Sequence, residues 1–163
     1  MTFTVFCGSS VGNNIEYENA TKSLGKYLAL NNIGVVYGGG NVGLMGVLAN
    51  SVLENGGKVH GVIPEKLQEK ELAHNSLTNL DVVTTMHERK AKMASLGDAF
   101  IALPGGIGTL EEIFEVWTWA QLGFHNKPCA FYNVNGFYDN LIKMINSMSE
   151  QGFVKKEYVD MLI

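Results

Sequence analysis

Short apolar runs alternate along the chain with longer stretches in which apolar residues recur at helical spacing. The runs are rich in Val, Ile, Phe and Tyr, and several are apolar throughout, as is typical of strands buried on both faces. They predict six strands, at Thr4–Cys7, Gly34–Tyr37, Lys58–Ile63, Asp81–Val83, Ala99–Leu103 and Pro128–Tyr132. The longer stretches predict helices at Ile15–Asn31, Gly43–Asn55, Met86–Leu96, Leu110–Leu122 and Phe137–Glu150, with a short last helix within Val154–Ile163.

The order of these elements predicts the fold class. Strands that alternate with helices indicate an α/β fold, a single Rossmann-like doubly wound parallel sheet with helices on both faces. The predicted connections are short and 163 residues fit one domain, so we expect residues 1–163 to form a single nucleotide-binding domain. The charged, irregular segment Pro64–Ser76 is expected to cover the carboxyl edge of the sheet, where such folds bind ligands.

Composition narrows the classes of partner and compartment. The formal net charge is −4 and the basic residues are scattered, which argues against a nucleic-acid or membrane partner. Cys7 and Cys129 both lie in predicted strands, which favours a reduced compartment over a disulfide framework. The four histidines share no ligand spacing with the cysteines, so no metal site is predicted. The amino terminus lacks a signal-peptide pattern and no apolar run approaches the ~20 residues that span a bilayer, so a cytoplasmic protein is expected.

Three glycine-rich loops follow predicted strands, at Gly8–Ser10, Gly38–Gly46 and Pro104–Thr109. Small residues in the first loop let a ligand approach the backbone, although an ordinary turn explains them equally well. The second loop contains G-x-G-x-x-G at Gly38, Gly40 and Gly43, a pattern typical of dinucleotide binding. It follows the second strand rather than the first, and only Glu65 could supply the expected acid. A glycine-rich anion or sugar contact is therefore favoured over NAD, and helix–strand packing is the structural alternative.

The third loop, from Pro104 to Thr109, predicts a phosphate site. Glycine-rich backbone can turn its N–H groups inward, and the following helix adds partial positive charge at its N-terminus. Such a site needs no basic side chain, which suits an acidic protein. The loop is not a Walker A motif, because no Lys-Ser/Thr pair follows.

Two glutamates near predicted helix starts allow opposite interpretations. Thr109 and Glu112 have the spacing of a capping box, as do Thr85 and Glu88, and spacing alone favours capping for both glutamates. However, Glu111 and Glu112 together crowd the predicted phosphate site, and a carboxylate aimed at a phosphate would repel it. At least one of the two must then point past the phosphate, towards the ribose of a nucleoside 5′-phosphate.

The single arginine of the chain, Arg89, is followed directly by Lys90. Two cations in the first turn of a helix are unfavourable for the helix dipole, so the pair indicates an anionic partner. The guanidinium offers a bidentate fork for phosphate or carboxylate.

These residues together resemble a known family. Met86-x-x-Arg89-Lys90, followed by Pro104-Gly105-Gly106-x-Gly108-Thr109-x-x-Glu112, resembles the Lonely Guy family of cytokinin riboside 5′-monophosphate phosphoribohydrolases, long labelled lysine decarboxylases. The resemblance extends along the chain through CGSS, YGGGNVGLMG and the Trp119–Gly123 stretch. It implies hydrolysis of the N-glycosidic bond of an adenosine-type 5′-monophosphate, giving the free base and ribose 5-phosphate.

The resemblance also implies roles for individual residues. It makes Arg89 and Glu112 the catalytic pair. It further implies a substrate-binding set, namely Ser9, Gly39, Gly40, Gly43, Met45, Glu71, Met86, Lys90, Gly105, Gly106, Ile107, Gly108, Thr109, Glu111 and Thr118. No cofactor is implied, and the sequence offers no lysine in a pyridoxal-phosphate context.

The chemistry of glycoside cleavage suits these residue types. Breaking a ribosyl–base bond builds positive charge on the sugar, which a carboxylate such as Glu112 can stabilise, or the carboxylate can activate water. Arg89 can orient that carboxylate or anchor the phosphate, and the sequence leaves both roles open. It also leaves open the base preference, AMP or an N6-substituted AMP.

Two alternatives stay open at the level of the sequence. A non-catalytic nucleotide- or cofactor-binding carrier could use the same phosphate loop, since fold alone does not give activity. An NAD-dependent enzyme could use the second glycine loop. The predicted helix Leu110–Leu122 is apolar around most of its circumference, which indicates a further covering surface. A homodimer, which the family also implies, is one source, and the chain's own last helix is the other.

Overall fold

A computed structural model describes residues 1–163. The strands are β1 (Thr2–Phe6), β2 (Gly34–Tyr37), β3 (Val59–Pro64), β4 (Asn79–Val83), β5 (Ala99–Ala102) and β6 (Cys129–Phe131). The helices are α1 (Ile15–Leu30), α2 (Gly43–Glu54), α3 (Met86–Leu96), α4 (Ile107–Gln121), α5 (Asp139–Glu150) and α6 (Lys156–Val159). Every predicted strand and helix is present. No helix is long and apolar enough to cross a membrane.

The six strands form one parallel sheet in the order β4-β3-β2-β1-β5-β6. Neighbouring residues of a strand face opposite sides, so Val5 packs among side chains of α1 and α2, and Phe6 among those of α3, α4 and α5. Val35 and Val36 divide between the two faces in the same way. The predicted doubly wound parallel sheet with helices on both faces is confirmed.

The strand order reverses at β1, which lies between β2 and β5. In open α/β sheets, ligands bind beside the carboxyl ends of the strands at this switch point. The backbone N–H of Gly8 donates to the carbonyl of Pro104 at 3.1 Å, so the loops after β1 and β5 meet there. The segment Glu65–Thr78, here called the β3–β4 segment, reaches the same edge through a bridge between Gly40 and Ala73. The expected cover over the carboxyl edge is confirmed.

The two predicted capping boxes have opposite outcomes. In α3, the Thr85 side chain accepts from the N–H of Glu88, and the Glu88 carboxylate accepts from the N–H of Thr85, so the box is present. In α4, the predicted box is wrong because the helix begins at Ile107, not near Thr109. Thr109 and Glu112 both lie inside the helix, and Glu112 is therefore free of any capping role.

Candidate functional site

A central cavity of about 320 Å³ opens at the switch point. Its walls come from the end of β1 with the loop after it, the loop after β2, the start of α2, the β3–β4 segment, α3 and the first two turns of α4. The strand order brings these segments together. The cavity therefore lies where the fold class places ligands.

The first turn of α4 presents unpaired backbone donors to this cavity. The first carbonyl–amide bond of the helix runs from the N–H of Leu110 to Gly106 at 3.2 Å, and the N–H groups of Ile107, Gly108 and Thr109 have no acceptor. No side chain caps the helix. A Cβ at Gly106 or Gly108 would enter open space, so packing does not demand glycine at either position. The arrangement suits an anion bound close to the backbone.

Gly105 has a different role within the same turn. A side chain there would collide with the Thr109 hydroxyl and lie 3.0 Å from the backbone nitrogen of Gly8. Gly105 thus lets the turn pack against the loop after β1. It supports the anion site without lining the central cavity.

Arg89 is buried, with only 4% of its surface exposed. Its Nε donates to the carbonyl of Val62 at 3.1 Å, and its Nη2 donates to the carbonyl of Gly38 at 2.7 Å and to Glu71 at 3.0 Å. The other terminal nitrogen, Nη1, contacts only the Met86 sulfur, at 3.9 Å. A thioether is a weak acceptor, so Nη1 retains donor capacity for a ligand.

Glu112 lines the same cavity as these groups and has no ion-pair partner, since Arg89 pairs with Glu71. The pKa of Glu112 is raised to about 7, chiefly by burial and also by the charges of Glu111 and Glu71, against the opposing charges of Arg89 and Lys90. A carboxyl group with this pKa exchanges its proton near neutral pH, which suits acid–base work. Arg89 acts on it only through space.

Most of the predicted site residues line the central cavity. They are Ser9, Met45, Glu71, Met86, Arg89, Gly106, Ile107, Gly108, Thr109, Glu111 and Glu112. Outside the lining, Lys90 is bonded to Glu111 and Glu115, and the Thr118 hydroxyl donates to the carbonyl of Phe114 on the exposed side of α4.

The second glycine loop supports the site mainly by packing. Gly43 has a φ of +55°, and a Cβ there would collide with the backbone of Ser9 and Ser10. Gly39 and Gly40 pack against β3 and the backbone of Glu71. Among the glycines of this loop, Gly38 alone lines the cavity, and a side chain there would collide with the guanidinium of Arg89. The contacts of Gly39, Gly40 and Gly43 favour helix–strand packing among the roles predicted for this loop.

Several cavity residues carry no signal in the sequence. Cys7 follows β1 and lines the cavity, and burial raises the pKa of its thiol above the ordinary value. Its place at the end of the strand beside the switch point was the one available clue. Leu67 reaches the cavity from the irregular β3–β4 segment, and Met93 from the third turn of α3. Only tertiary packing brings these apolar side chains to the site.

The chain resembles known proteins along most of its length. The family model described as possible lysine decarboxylase matches residues 45–163. A Rhodococcoides fascians cytokinin riboside 5′-monophosphate phosphoribohydrolase is 52% identical over 152 residues, which cover 93% of this chain and 77% of the relative. An Arabidopsis thaliana protein with the same enzyme name is 50% identical over 150 residues, covering 92% of this chain and 70% of the relative.

Solved structures agree with the fold. The Moco carrier protein of Chlamydomonas reinhardtii superposes with a TM-score of 0.70 at 19% identity, covering 94% of this chain and 86% of that one. At this level of identity the likeness shows the shared fold alone.

We expect Glu112→Gln to stabilise the protein above neutral pH. Because the folded pKa of Glu112 is raised to about 7, the folded state holds this proton more tightly than the unfolded chain does. The ionised side chain therefore lowers the free energy of unfolding as the pH rises towards and through 7. Urea unfolding measures the free energy of unfolding of the variant minus that of the wild type. This difference should be up to about 3 kcal/mol larger at about pH 8 than at about pH 5.

The control for this measurement is Glu54→Gln, an exposed residue on α2 with no ion pair. Its effect on the free energy of unfolding should be the same at both pH values. A Glu112→Gln effect that is equally independent of pH would contradict the assignment of the raised pKa.

Proposed function

The chain belongs to the Lonely Guy family, and we propose that it hydrolyses the N-glycosidic bond of adenosine 5′-monophosphate or an N6-substituted derivative, releasing the free base and ribose 5-phosphate. One observation carries the proposal: the uncapped start of α4, the free Nη1 of Arg89 and the unpaired Glu112 all face one cavity. The first suits a phosphate, and the other two suit the sugar and the bond beyond it.

The helix sets the distance between phosphate and chemistry. Glu112 follows Gly108 by one helical turn, about 6 Å along the axis, and both line the same cavity. A 5′-phosphate bound at Gly108 then places the ribose beside the Glu112 carboxylate. In its ionised form, that carboxylate stabilises the positive charge on the sugar or removes a proton from the attacking water.

Arg89 takes the substrate-anchoring role in this proposal rather than the orienting one. Its Nε and Nη2 are occupied by two carbonyls and Glu71, and it makes no bond to Glu112. Its free Nη1 is the donor available for a substrate oxygen. The fixed positive charge also favours the ionised form of Glu112, because it opposes the effect of burial on that pKa.

The proposal predicts release of free base from nucleoside 5′-monophosphates. Chromatography of products from AMP and N6-isopentenyl-AMP should show the base and ribose 5-phosphate, whereas adenosine, which lacks the phosphate, should react far more slowly. Glu112→Gln should lower kcat by at least about a thousandfold, because the charge on the sugar is no longer stabilised.

Two controls separate the alternatives. Nucleotide binding by calorimetry without release of base would instead indicate a carrier protein. Lysine incubated with pyridoxal phosphate should give no decarboxylation, and its turnover would support the older family description.

Gly108→Ala tests the phosphate site without damaging the fold. The added methyl group enters open space in front of the unpaired N–H groups, so it obstructs an anion but no protein atom. KM for AMP should rise about tenfold, while the melting temperature stays equal or increases because alanine favours the helix over glycine. An unchanged KM would place the phosphate elsewhere.

The proposal includes a homodimer formed through α4. The chain's own C-terminal residues cover part of this helix, since the Trp117 indole donates to the carbonyl of Tyr158 at 2.9 Å. Two apolar side chains at opposite ends of the helix remain exposed, Ile107 by 88% and Leu122 by 62%. Such a face, apolar at both ends, suits antiparallel pairing with a second copy.

This pairing also gives Thr118 a contact with substrate. Ile107, Glu111, Thr118 and Leu122 lie on one face of α4, because their spacings are close to whole turns. In a two-fold antiparallel pair that sets Ile107 opposite Leu122, the partner's Thr118 lies opposite Glu111. Thr118 would then reach the cavity of the other protomer, although it lies outside its own.

We expect Leu122→Asp to produce a monomer, because a buried unpaired carboxylate opposes association. The matched control is Leu30→Asp on α1, since Leu30 is 63% exposed. It should remain a dimer like the wild type. Sedimentation velocity measures both, and a dimeric Leu122→Asp protein would exclude this face as the interface.

A further inference from the structure

Lys90 joins the two helices that carry the candidate catalytic residues. Its Nζ lies 2.6 Å from Glu111 and 3.2 Å from Glu115, both on α4, and its side chain is only 11% exposed. These are the only side-chain hydrogen bonds and ion pairs between α3 and α4. Lys90 directly follows Arg89, and Glu111 directly precedes Glu112, so this contact helps set the spacing of the catalytic pair.

We infer that Lys90 is a positioning residue that acts on the reaction through Glu111 and Glu115, not through contact with substrate. The inference rests on the proposed hydrolysis of a nucleoside 5′-phosphate. In this role the Lys90 ammonium binds the carboxylates of Glu111 and Glu115 instead of a substrate anion.

The charge distribution explains why the site requires this cation. Glu111 lines the cavity at the helix start where the phosphate binds, and an unpaired carboxylate there repels a phosphate dianion. The hydrogen bond to Glu111 raises the pKa of Lys90, so the ammonium stays charged and neutralises that repulsion. The same pair also affects Glu112, whose raised pKa is due chiefly to burial, because the charge of Glu111 raises that pKa and the charge of Lys90 lowers it.

The alternative, direct contact of Lys90 with the phosphate, conflicts with its surroundings. Lys90 does not line the central cavity. Turning its ammonium towards a ligand would also leave Glu115, whose side chain is 26% exposed, without a counter-charge. Uncompensated, largely buried charges are strongly destabilising. The bonds to α4 are therefore the stable state of this lysine.

The two roles predict different outcomes when the carboxylates are neutralised together with the lysine. Lys90→Met should raise KM for AMP about tenfold and move the pH midpoint of kcat/KM, set by Glu112, to a higher value. The triple variant, Lys90→Met with Glu111→Gln and Glu115→Gln, leaves no uncompensated charge. It should restore KM to within about threefold of the wild type and return the midpoint to the wild-type value or below.

The matched control is Lys92→Met on the same helix, whose ammonium pairs with Asp81 away from the cavity. It should leave KM and the pH midpoint unchanged. A triple variant that keeps the full rise in KM overturns the inference, because a lost phosphate contact cannot be restored by removing carboxylates.

A binding measurement separates this inference from the proposed hydrolysis. Calorimetric titration with ribose 5-phosphate requires no turnover, and Lys90→Met should weaken its binding about tenfold while the triple variant recovers it. If wild-type protein releases no base but this pattern holds, the hydrolysis fails and the role of Lys90 stands. Equal weakening in the single and triple variants, or no binding to the wild type, overturns the role of Lys90.

Discussion

The buried charge of Arg89 is the constraint on which the site depends. A guanidinium that is 4% exposed must find oxygen partners, and Arg89 takes them from the loop after β2, from β3 and from Glu71 in the β3–β4 segment. One side chain thereby holds three strand-end segments against α3. Gly38 lacks a side chain because the guanidinium occupies that space. The glycine at the start of the loop after β2 therefore makes room for the only arginine of the chain.

The opposite wall of the cavity is built from α4, and the strand order makes the two walls meet. Because β1 lies between β2 and β5, the loops after β2 and β5 approach the same crevice from either side. One wall carries a fixed guanidinium, and the other carries free backbone donors and Glu112. Two positive sources flank a carboxyl group that titrates near neutral pH. Such a site attracts an anion and retains a group for proton transfer within one helical turn of it.

The order of apolar runs was sufficient to predict the sheet and its helices, because burial on both faces leaves a strong pattern in each strand. Spacing correctly predicted the capping box at Thr85 and Glu88. It was wrong for Thr109 and Glu112, because a glycine-rich sequence conceals where a helix starts. The adjacent cations Arg89 and Lys90 did indicate anionic partners. The partner of Lys90, however, lies on α4, about twenty residues away in sequence. Cys7 could be anticipated only from its place at the end of a strand, and Leu67 not at all, since no local pattern records which side chains meet across a crevice.

The uncapped start of α4 also couples the amount of folded protein to its ligand. Leaving out a side-chain cap costs a helix on the order of a few tenths of a kcal/mol to 1 kcal/mol, and a bound phosphate supplies the missing acceptor. A ligand at ten times its dissociation constant stabilises the folded state by about 1.4 kcal/mol. In a cell that degrades unfolded chains, this difference lengthens the lifetime of the protein while the nucleotide is plentiful. A ligand that supplies an acceptor to these bare amides would therefore raise the abundance of the folded protein as well as occupy its site.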